Sequence, residues 1–211
     1  RTETVIARRQ RRLGALVRSD KPLSAPDPSR LAEGLVDGVR QTGLHVLPWD
    51  KGAEQFRARV AFLRRAEGDP WPDLSDDGLT ASLEDWLMPY LSGLSKLSML
   101  KKVPLLEALK AVLPWELQQR LDAEAPTHYR VQTGDRIPLD YATGETPVLP
   151  VRLQQMFGTT DHPTLAGGRV PLVVHLLSPA GRPLQITQDL PGFWTNSYPA
   201  VKAEMKGRYP K

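Results

Sequence analysis

Prolines and glycines constrain this sequence more than any other feature, because they limit where a regular helix or strand can run. Three prolines fall within the seven residues 22–28, and no regular strand ladder passes through such a stretch. Pro104 and Pro114 interrupt a leucine-rich series, and after Pro126 the glycines stand in groups typical of turns. The positions of these prolines and glycines divide the chain into four segments, namely residues 1–20, 21–26, 27–125 and 126–211.

The first segment predicts extended structure. Residues 3–18 alternate and are rich in arginine and valine, which indicates one long strand or a hairpin. A two-stranded piece is marginally stable alone, so we expect residues 1–20 to be the remnant of a module whose other strands lie upstream. The sequence also starts without methionine or an apolar signal segment, which is typical of a cut within a longer chain. The proline-rich residues 21–26 are predicted to be a linker.

Residues 27–125 predict helices. Asp27 is a suitable N-cap for a helix with Pro28 at its first position, and Asp50 begins a second helix that runs to Ala66 before Gly68. Ser75 caps a third helix that Pro89 limits. The leucines between residues 91 and 113 recur about every three positions, which favours a helical core over a leucine-rich repeat with its period of about 20 to 29 residues.

The last segment, residues 126–211, predicts a meander of short strands joined by turns of about four residues, too short for parallel crossovers. A short helical turn is expected at residues 154–158, and a final helix begins near Asp189, the predicted N-cap, with Phe193 and Trp194 as core anchors. The predicted strands are Tyr129–Val131, Arg136–Tyr141, Val148–Leu153, Val170–Leu177 and Pro183–Thr187. The fold class is therefore α+β, with a strand or hairpin remnant, a helical middle and a C-terminal antiparallel sheet; a small OB-like barrel is one alternative among several small sheets.

Composition excludes several classes of protein. Cysteine is absent, which removes disulfide frameworks, thiolate zinc sites and cysteine nucleophiles, and fits a reducing compartment such as the cytoplasm. The longest stretch without a charged residue has 12 residues, at 170–181 and at 190–201. A membrane-spanning helix needs about 18 apolar residues. We therefore expect a cytoplasmic protein with no membrane partner.

No catalytic or metal-binding motif is present, so we predict no catalytic residue, no metal ligand and no cofactor within this fragment. There is no phosphate-binding loop and no G-x-S-x-G sequence. Adjacent acids such as Asp76 and Asp77 do not face one another on a helix. The four histidines have no metal-ligand spacing and are His45, His128, His162 and His175.

Arginine is the residue type that points to a partner. Residues 1–20 carry a net charge of +4, residues 21–127 of −3 and residues 128–211 of +3, and basic surfaces attract polyanions through counterion release. We predict contacts to single-stranded RNA or DNA, with Gly167 and Gly168 allowing a close approach beside Arg169. The alternative for each arginine is solvation or pairing with an acid. The predicted nucleic-acid-binding residues are Arg8, Arg9, Arg11, Arg12, Arg130, Arg136, Arg152, Arg169 and Arg182.

Several runs of the sequence resemble the C-terminal region of HrpB-type bacterial ATP-dependent helicases of the DEAH-box class, and together they extend over nearly the whole chain. They are RRLGALV (11–17), RVAFLR (59–64), LPWELQQRLD (113–122), APTH (125–128), VRLQQMFG (151–158), AGGRVPL (166–172), LLSPAGRPLQITQDL (176–190), Phe193 with Trp194, and GRYPK (207–211).

The resemblance implies that the motor domains, with their ATP and Mg²⁺, precede residue 1, that both ends of this sequence are trimmed, and that the upstream helicase domains of the same chain are partners. No ATPase motif of the family falls on a position of this sequence. The expected role is an accessory one, either holding a single strand of RNA or supporting the motor. The rival hypothesis is a structural or protein-interaction domain that docks on the helicase body, and a self-contained hydrolase is a distant third.

Overall fold

The computed structural model of the chain describes residues 8–13, 16–22 and 27–208. At its start, strand β1 (Arg8–Leu13) pairs antiparallel with β2 (Leu16–Pro22), so the extended segment is a hairpin. Lys21 and Pro22, which we placed in the linker, are the last residues of β2. Pro22 lies opposite Arg8 at the end of the ladder, where proline is tolerated. Residues 23–26 of the predicted linker lie outside the described residues.

The first two long helices begin and end where the local signals predict. Helix α1 (Pro28–Thr42) starts after Asp27, whose carboxylate accepts a hydrogen bond from the Ser29 N–H. Helix α2 (Lys51–Glu67) starts after Asp50, whose carboxylate accepts from the Ala53 N–H at 2.8 Å. Gly68 follows α2 with a φ of +80°, a conformation that favours glycine.

The rest of the helical middle is built from short pieces, and a proline follows α4, α5 and α6 within four residues. The predicted Ser75 cap is confirmed, since its hydroxyl accepts from the Gly78 N–H at 3.1 Å. The leucine series contributes to a helical core, with Leu91, Leu100 and Leu109 buried. The short helices are α3 (Asp76–Ala81), α4 (Leu83–Trp86), α5 (Leu105–Lys110) and α6 (Trp115–Glu124), with 3-10 turns at Leu44–Val46, Met88–Tyr90 and Leu97–Lys102.

The chain divides into two compact units that do not follow its linear segments. Unit 1 comprises residues 1–56 and 73–114, and unit 2 comprises residues 57–72 and 115–211. The second half of α2 belongs to unit 2, where Phe62 packs against Tyr141 with ring centroids 5.6 Å apart. Residues 57–72 of the predicted helical region therefore form one structure with the C-terminal sheets.

Unit 2 contains three small sheets. Strands β3 (His128–Arg130) and β4 (Arg136–Pro138) form an antiparallel hairpin, and β6 (Thr164–Leu165) pairs antiparallel with β7 (Val170–Pro171). The third sheet has three strands in the order β5-β8-β9, in which β8 and β9 are antiparallel. Its strands are β5 (Val148–Arg152), β8 (Val173–Leu177) and β9 (Pro183–Thr187).

Pairing between strands departs from the prediction in one place, since β5 and β8 are parallel. Residues 153–172, which connect these two strands, hold the 3-10 turn Leu153–Met156 and the β6–β7 hairpin, and they are long enough for a crossover. The other three strand pairs of this region are antiparallel, as predicted. The OB-like alternative is wrong for the described residues, because these strands lie in separate sheets rather than in one barrel.

The final helical region begins at the predicted position. The Asp189 carboxylate accepts from the Gly192 N–H at 2.9 Å, which caps helix α7 (Leu190–Gly192). A π-helical segment, Phe193–Ser197, leads into α8 (Tyr198–Arg208). Phe193 is buried, as expected of a core anchor. Among the described residues, no helix combines the length and apolar character that crossing a bilayer requires.

Candidate nucleic-acid interface

Two of the predicted arginines lie directly opposite each other on the β3–β4 hairpin. Arg130 pairs with Arg136 in the register, and both side chains are exposed. The Val131 N–H donates to the Asp135 carbonyl at 3.0 Å, one position further towards the turn. Because hydrogen-bonded pairs alternate along an antiparallel ladder, Arg130 and Arg136 form a non-hydrogen-bonded pair, with Cβ atoms about 4.5–5.5 Å apart. Like charges in this position repel unless an anion lies between them.

Two more predicted arginines lie at one end of the three-stranded sheet. Arg152, the last residue of β5, is level with Leu177 of β8, which in turn pairs with Pro183 of β9. Arg182 immediately precedes Pro183, and its carbonyl accepts from the Ser178 N–H at 2.8 Å. Both arginine side chains are exposed. Arg152 and Arg182 therefore share the sheet end at which β5 and β8 finish.

Hydrogen bonds from two glutamine side chains connect the hairpin to this sheet end. The Gln132 amide donates from Nε2 to the Gly158 carbonyl at 2.9 Å. The Gln155 amide donates from Nε2 to the Asp135 carboxylate at 3.1 Å and accepts at Oε1 from the Arg152 N–H at 3.2 Å. These bonds bring four predicted residues into one region, which we call the arginine surface and define as Arg130, Arg136, Arg152 and Arg182.

The arginine surface lacks carboxylate partners. None of its four guanidinium groups forms an ion pair with an acid of the described ranges, 8–13, 16–22 and 27–208. The nearest acid along the hairpin, Asp135, accepts from the Thr133 hydroxyl at 3.0 Å and from Gln155. Exposed guanidinium groups in such a setting can bind phosphate oxygens through charge-assisted hydrogen bonds.

Arg169 differs from the arginine surface, because it belongs to an ion-pair network. Its Nη2 lies 2.9 Å from Glu124 Oε2 and 3.7 Å from Glu67 Oε2. Arg120 contacts the same two acids, at 2.8 Å to Glu67 and 2.9 Å to Glu124. The structure thus gives Arg169 two acidic partners within unit 2, and contact between Arg169 and nucleic acid stays a prediction.

The network lowers the pKa of the Glu67 carboxyl, first because the Trp71 indole N–H donates to it at 2.7 Å and then because Arg120 donates to it. A lowered pKa means that folding favours the ionised form. The ionised Glu67 carboxylate therefore stabilises the fold at pH values above the ordinary pKa of a glutamate. This contribution is lost as the pH falls through the pKa that Glu67 has in the folded protein.

We expect the melting temperature of wild type to exceed that of Glu67→Gln at neutral pH, and the difference to shrink as the pH falls below about 4.5. Other carboxyl groups titrate in both proteins and cancel in the difference. The measurement is a series of thermal melts followed by circular dichroism between about pH 7 and pH 3. A difference that stays constant over this range would contradict the role of the Glu67 charge.

For the four N-terminal arginines, the structure describes only the backbone. They occupy β1, where Arg8 pairs with Pro22, Arg9 with Lys21, Arg11 with Ser19 and Arg12 with Val17. Alternate residues of a strand face opposite sides of its sheet. Their side chains lie outside the described residues, so contacts from Arg8, Arg9, Arg11 and Arg12 to nucleic acid stay a prediction.

Sequence reasoning missed Arg59, which is buried with 6% of its surface exposed. Its guanidinium donates from Nε to the Ala125 carbonyl at 2.5 Å and from Nη2 to the Leu121 carbonyl at 3.2 Å, and it pairs with Asp122 at 2.6 Å. The Ala125 carbonyl lies just past the end of α6, where carbonyls lack partners within the helix, whereas the Leu121 carbonyl also accepts from the Ala125 N–H at 2.9 Å. The available signal was position, because Arg59 follows Phe56 by three residues and so falls on the apolar stripe of α2.

A cluster of aromatic rings lies beyond the arginine surface. Phe157 is 46% exposed, and the centroid of its ring lies 6.0 Å from the ring centroids of both Trp194 and Tyr198. The Trp194 indole N–H donates to the Thr159 carbonyl at 2.9 Å. We did not single out Phe157 from the sequence, where nothing separates it from a core aromatic residue.

No group of three or more histidine and acidic side chains that could hold a metal ion occurs in the part of the chain that the structure describes. His162 has a structural position, since its Nδ1 accepts from the Leu190 N–H at 3.1 Å and its Nε2 lies 2.8 Å from the Leu172 carbonyl. These two contacts fit a neutral ring with the proton on Nε2.

Comparison with known proteins gives consistent results. A family described as HrpB_C, ATP-dependent helicase C-terminal, matches residues 86–211. The chain is 47% identical over 210 residues to the ATP-dependent RNA helicase HrpB of Escherichia coli (strain K12), covering 99% of this chain and 26% of that protein.

Solved structures give the same result. The crystal structure of the E. coli DExH-box NTPase HrpB matches with a TM-score of 0.87 and 42% identity, over 100% of this chain and 27% of that one. The crystal structure of the Escherichia coli DEAH/RHA helicase HrpB matches with a TM-score of 0.79 and 44% identity, over 97% and 26% of the two chains. The chain thus spans about a quarter of the length of these relatives.

Proposed function

Since this chain belongs to the HrpB family of ATP-dependent helicases and corresponds to part of its C-terminal region, we propose that it binds a single strand of nucleic acid through the arginine surface. Phosphate contacts of this kind position a strand without reading its sequence. The proposed role is accessory, in that the strand is held here while other parts of the whole protein hydrolyse ATP.

One observation carries this proposal, the grouping of four exposed arginines without carboxylate partners in one region of the described part of unit 2. Arg40, Arg59, Arg120 and Arg169 all have carboxylate partners within 4 Å. The four members of the arginine surface have none, although they lie in one region of unit 2. A protein gains little by gathering like charges unless a polyanion compensates them.

The activity of the whole protein is also a proposal, because this chain spans about a quarter of its relatives. The E. coli relative is described as an ATP-dependent RNA helicase. We propose that RNA is the strand bound here, that ATP and Mg²⁺ bind in motor domains of the same protein, that these domains are the partners of this region, and that the protein acts in the cytoplasm.

A second function, docking on another part of the helicase, is favoured by the outer face of the three-stranded sheet. Pro150 of β5, His175 of β8 and Ile186 of β9 lie side by side on that face. The Ile186 side chain is 56% exposed. An apolar residue in this position suits a protein surface better than a phosphate backbone.

A salt titration tests the strand-binding proposal. We expect the chain to bind a fluorescent single-stranded RNA with an affinity that falls steeply as salt rises, because each phosphate contact releases counterions. Replacing all four arginines of the surface by glutamine should reduce the slope of log K against log salt by roughly 0.7 for each arginine–phosphate pair, or about 2.8 in total. Fluorescence anisotropy at several salt concentrations measures both the affinity and the slope.

The matched control removes the same charge elsewhere. Glutamine at the exposed positions Lys51, Lys96, Lys101 and Lys102 lowers the net charge by the same amount without touching the arginine surface. We expect this variant to keep most of the slope of wild type. Equal slopes for the two quadruple variants, or no binding by wild type at low salt, would refute the proposal and favour docking.

A further inference from the structure

Phe157 is a large apolar side chain left half exposed beside cationic groups. It directly follows the 3-10 turn Leu153–Met156, and Arg152 directly precedes that turn. A 3-10 turn rises about 2 Å per residue, so the backbone positions of Arg152 and Phe157 lie roughly 10 Å apart. A residue with a guanidinium group and a residue with an aromatic ring thus lie at the two ends of one short turn.

Contacts on several sides hold the Phe157 ring and its backbone in place. The Trp194 and Tyr198 rings pack against it at 6.0 Å, tilted by 50° and 71°. The next two residues are also fixed, since the Gly158 carbonyl accepts from Gln132 and the Thr159 carbonyl accepts from Trp194. A ring fixed in this way loses little side-chain entropy when a ligand covers it.

Cationic side chains lie on two elements that adjoin the aromatic cluster. Gln132 and Gln155 join the Phe157 loop to the hairpin that carries Arg130 and Arg136. On α8, Lys202 Nζ lies 5.8 Å from the centroid of the Tyr198 ring. An exposed aromatic ring among cations complements a ligand that is anionic and also has flat apolar faces, which describes a single-stranded nucleic acid.

We propose that Phe157 stacks against a base of the strand whose phosphates lie on the arginine surface. This inference rests on the proposed function, and it adds a contact to the bases that the arginines do not make. Base–aromatic stacking tolerates any sequence, because every base has a π face. It also involves no counterion release, so it contributes to affinity without contributing to the salt slope.

Phe157→Leu tests the stacking contact, because leucine keeps apolar packing against Trp194 and Tyr198 but has no π face. We expect affinity for a single-stranded RNA to fall roughly 10-fold at every salt concentration, within the range of one stacking contact, with the slope unchanged. In a strand carrying 2-aminopurine, wild type and Phe157→Tyr should quench the fluorescence of the base, and Phe157→Leu should not.

Two controls separate stacking from other effects. Trp115→Ala removes another exposed aromatic side chain of unit 2, and it should leave affinity and quenching unchanged. Inorganic polyphosphate has no bases, so wild type and Phe157→Leu should bind it equally well. A loss of polyphosphate binding by Phe157→Leu would overturn the inference, because the residue would then act on the fold or the charge.

The outcomes distinguish this inference from the proposed function. If the arginine variants lose the salt slope while Phe157→Leu keeps its affinity and its quenching, stacking is wrong and strand binding stands. If wild type binds no RNA at low salt, both are wrong. An equal effect of Trp115→Ala would also overturn the inference.

Discussion

Replacing Trp71 by alanine is expected to lower the free energy of unfolding by about 3–5 kcal/mol, the usual range when a buried tryptophan is truncated. Only 1% of Trp71 is exposed. Its indole N–H donates to Glu67, and its carbonyl accepts from Arg64 at 2.5 Å. The Arg120 guanidinium lies 5.3 Å from the ring centroid. Alanine therefore leaves a cavity and also removes one side of the ion-pair network.

Thermal melts followed by circular dichroism measure this destabilisation, which corresponds to a fall in melting temperature on the order of 10 °C. Trp115→Ala is the matched control, since that tryptophan is 66% exposed. We expect the control to change the free energy of unfolding by no more than about 0.5 kcal/mol. Similar melting temperatures for the two variants would mean that Trp71 does not anchor unit 2.

The second large effect is expected for Arg59→Met, which keeps most of the side-chain volume and removes every donor. The Ala125 carbonyl then loses its partner while Ala125 itself stays fully buried. An unpaired buried carbonyl and the absence of the charge-assisted hydrogen bonds destabilise the fold, whereas removing a buried charge recovers part of that free energy. We expect a net decrease of about 2–3 kcal/mol in the free energy of unfolding.

Arg65→Met provides the control on the same helix, because Arg65 is exposed and donates only to the Glu145 carbonyl at 3.1 Å among the described residues. We expect it to destabilise the fold by less than about 1 kcal/mol. Denaturant titration of both variants gives the comparison. If Arg59→Met is as stable as Arg65→Met, the end of α6 does not depend on the buried guanidinium.

Local signals predicted the starts of helices well, although the helix that Ser75 caps ends at Ala81 rather than near Pro89. Asp27, Ser75 and Asp189 all cap helices in the way that their positions indicate, because a cap depends on residues two or three positions away. The pairing of β5 with β8 could not be predicted in the same way. It joins strands separated by residues 153–172, and the choice of partner depends on packing across the whole of unit 2.

The candidate site was predicted in part. Residue type and turn context singled out Arg130, Arg136, Arg152 and Arg182 as candidates for binding nucleic acid, which stays a prediction, and the structure shows that all four are exposed. Their grouping was not predictable, because it depends on hydrogen bonds between residues as far apart in sequence as Gln132 and Gly158.

Arg169 and Arg59 are two residues whose partners could not be predicted, because those partners are distant in sequence. The glycines before Arg169 suggested a ligand, and the structure adds two acidic partners, Glu67 and Glu124, that lie 102 and 45 residues earlier in the sequence. Arg59 is a charge on an apolar stripe, and the carbonyl that explains it lies 66 residues away. In both cases the sequence identifies an unusual residue, and only the fold identifies its partner.

The discontinuity of unit 2 bears on how such a region can be inherited. The stretch by which its family is recognised starts at residue 86, yet Arg59 and Trp71 belong to unit 2 and come from residues 57–72. Recombination that carried away residues 86–211 alone would leave the end of α6 without Arg59, and it would leave Arg120 and Arg169 without Glu67. The segment that can be exchanged as one folded unit is therefore longer than the recognised one, because residues 57–72 form a single compact unit with residues 115–211.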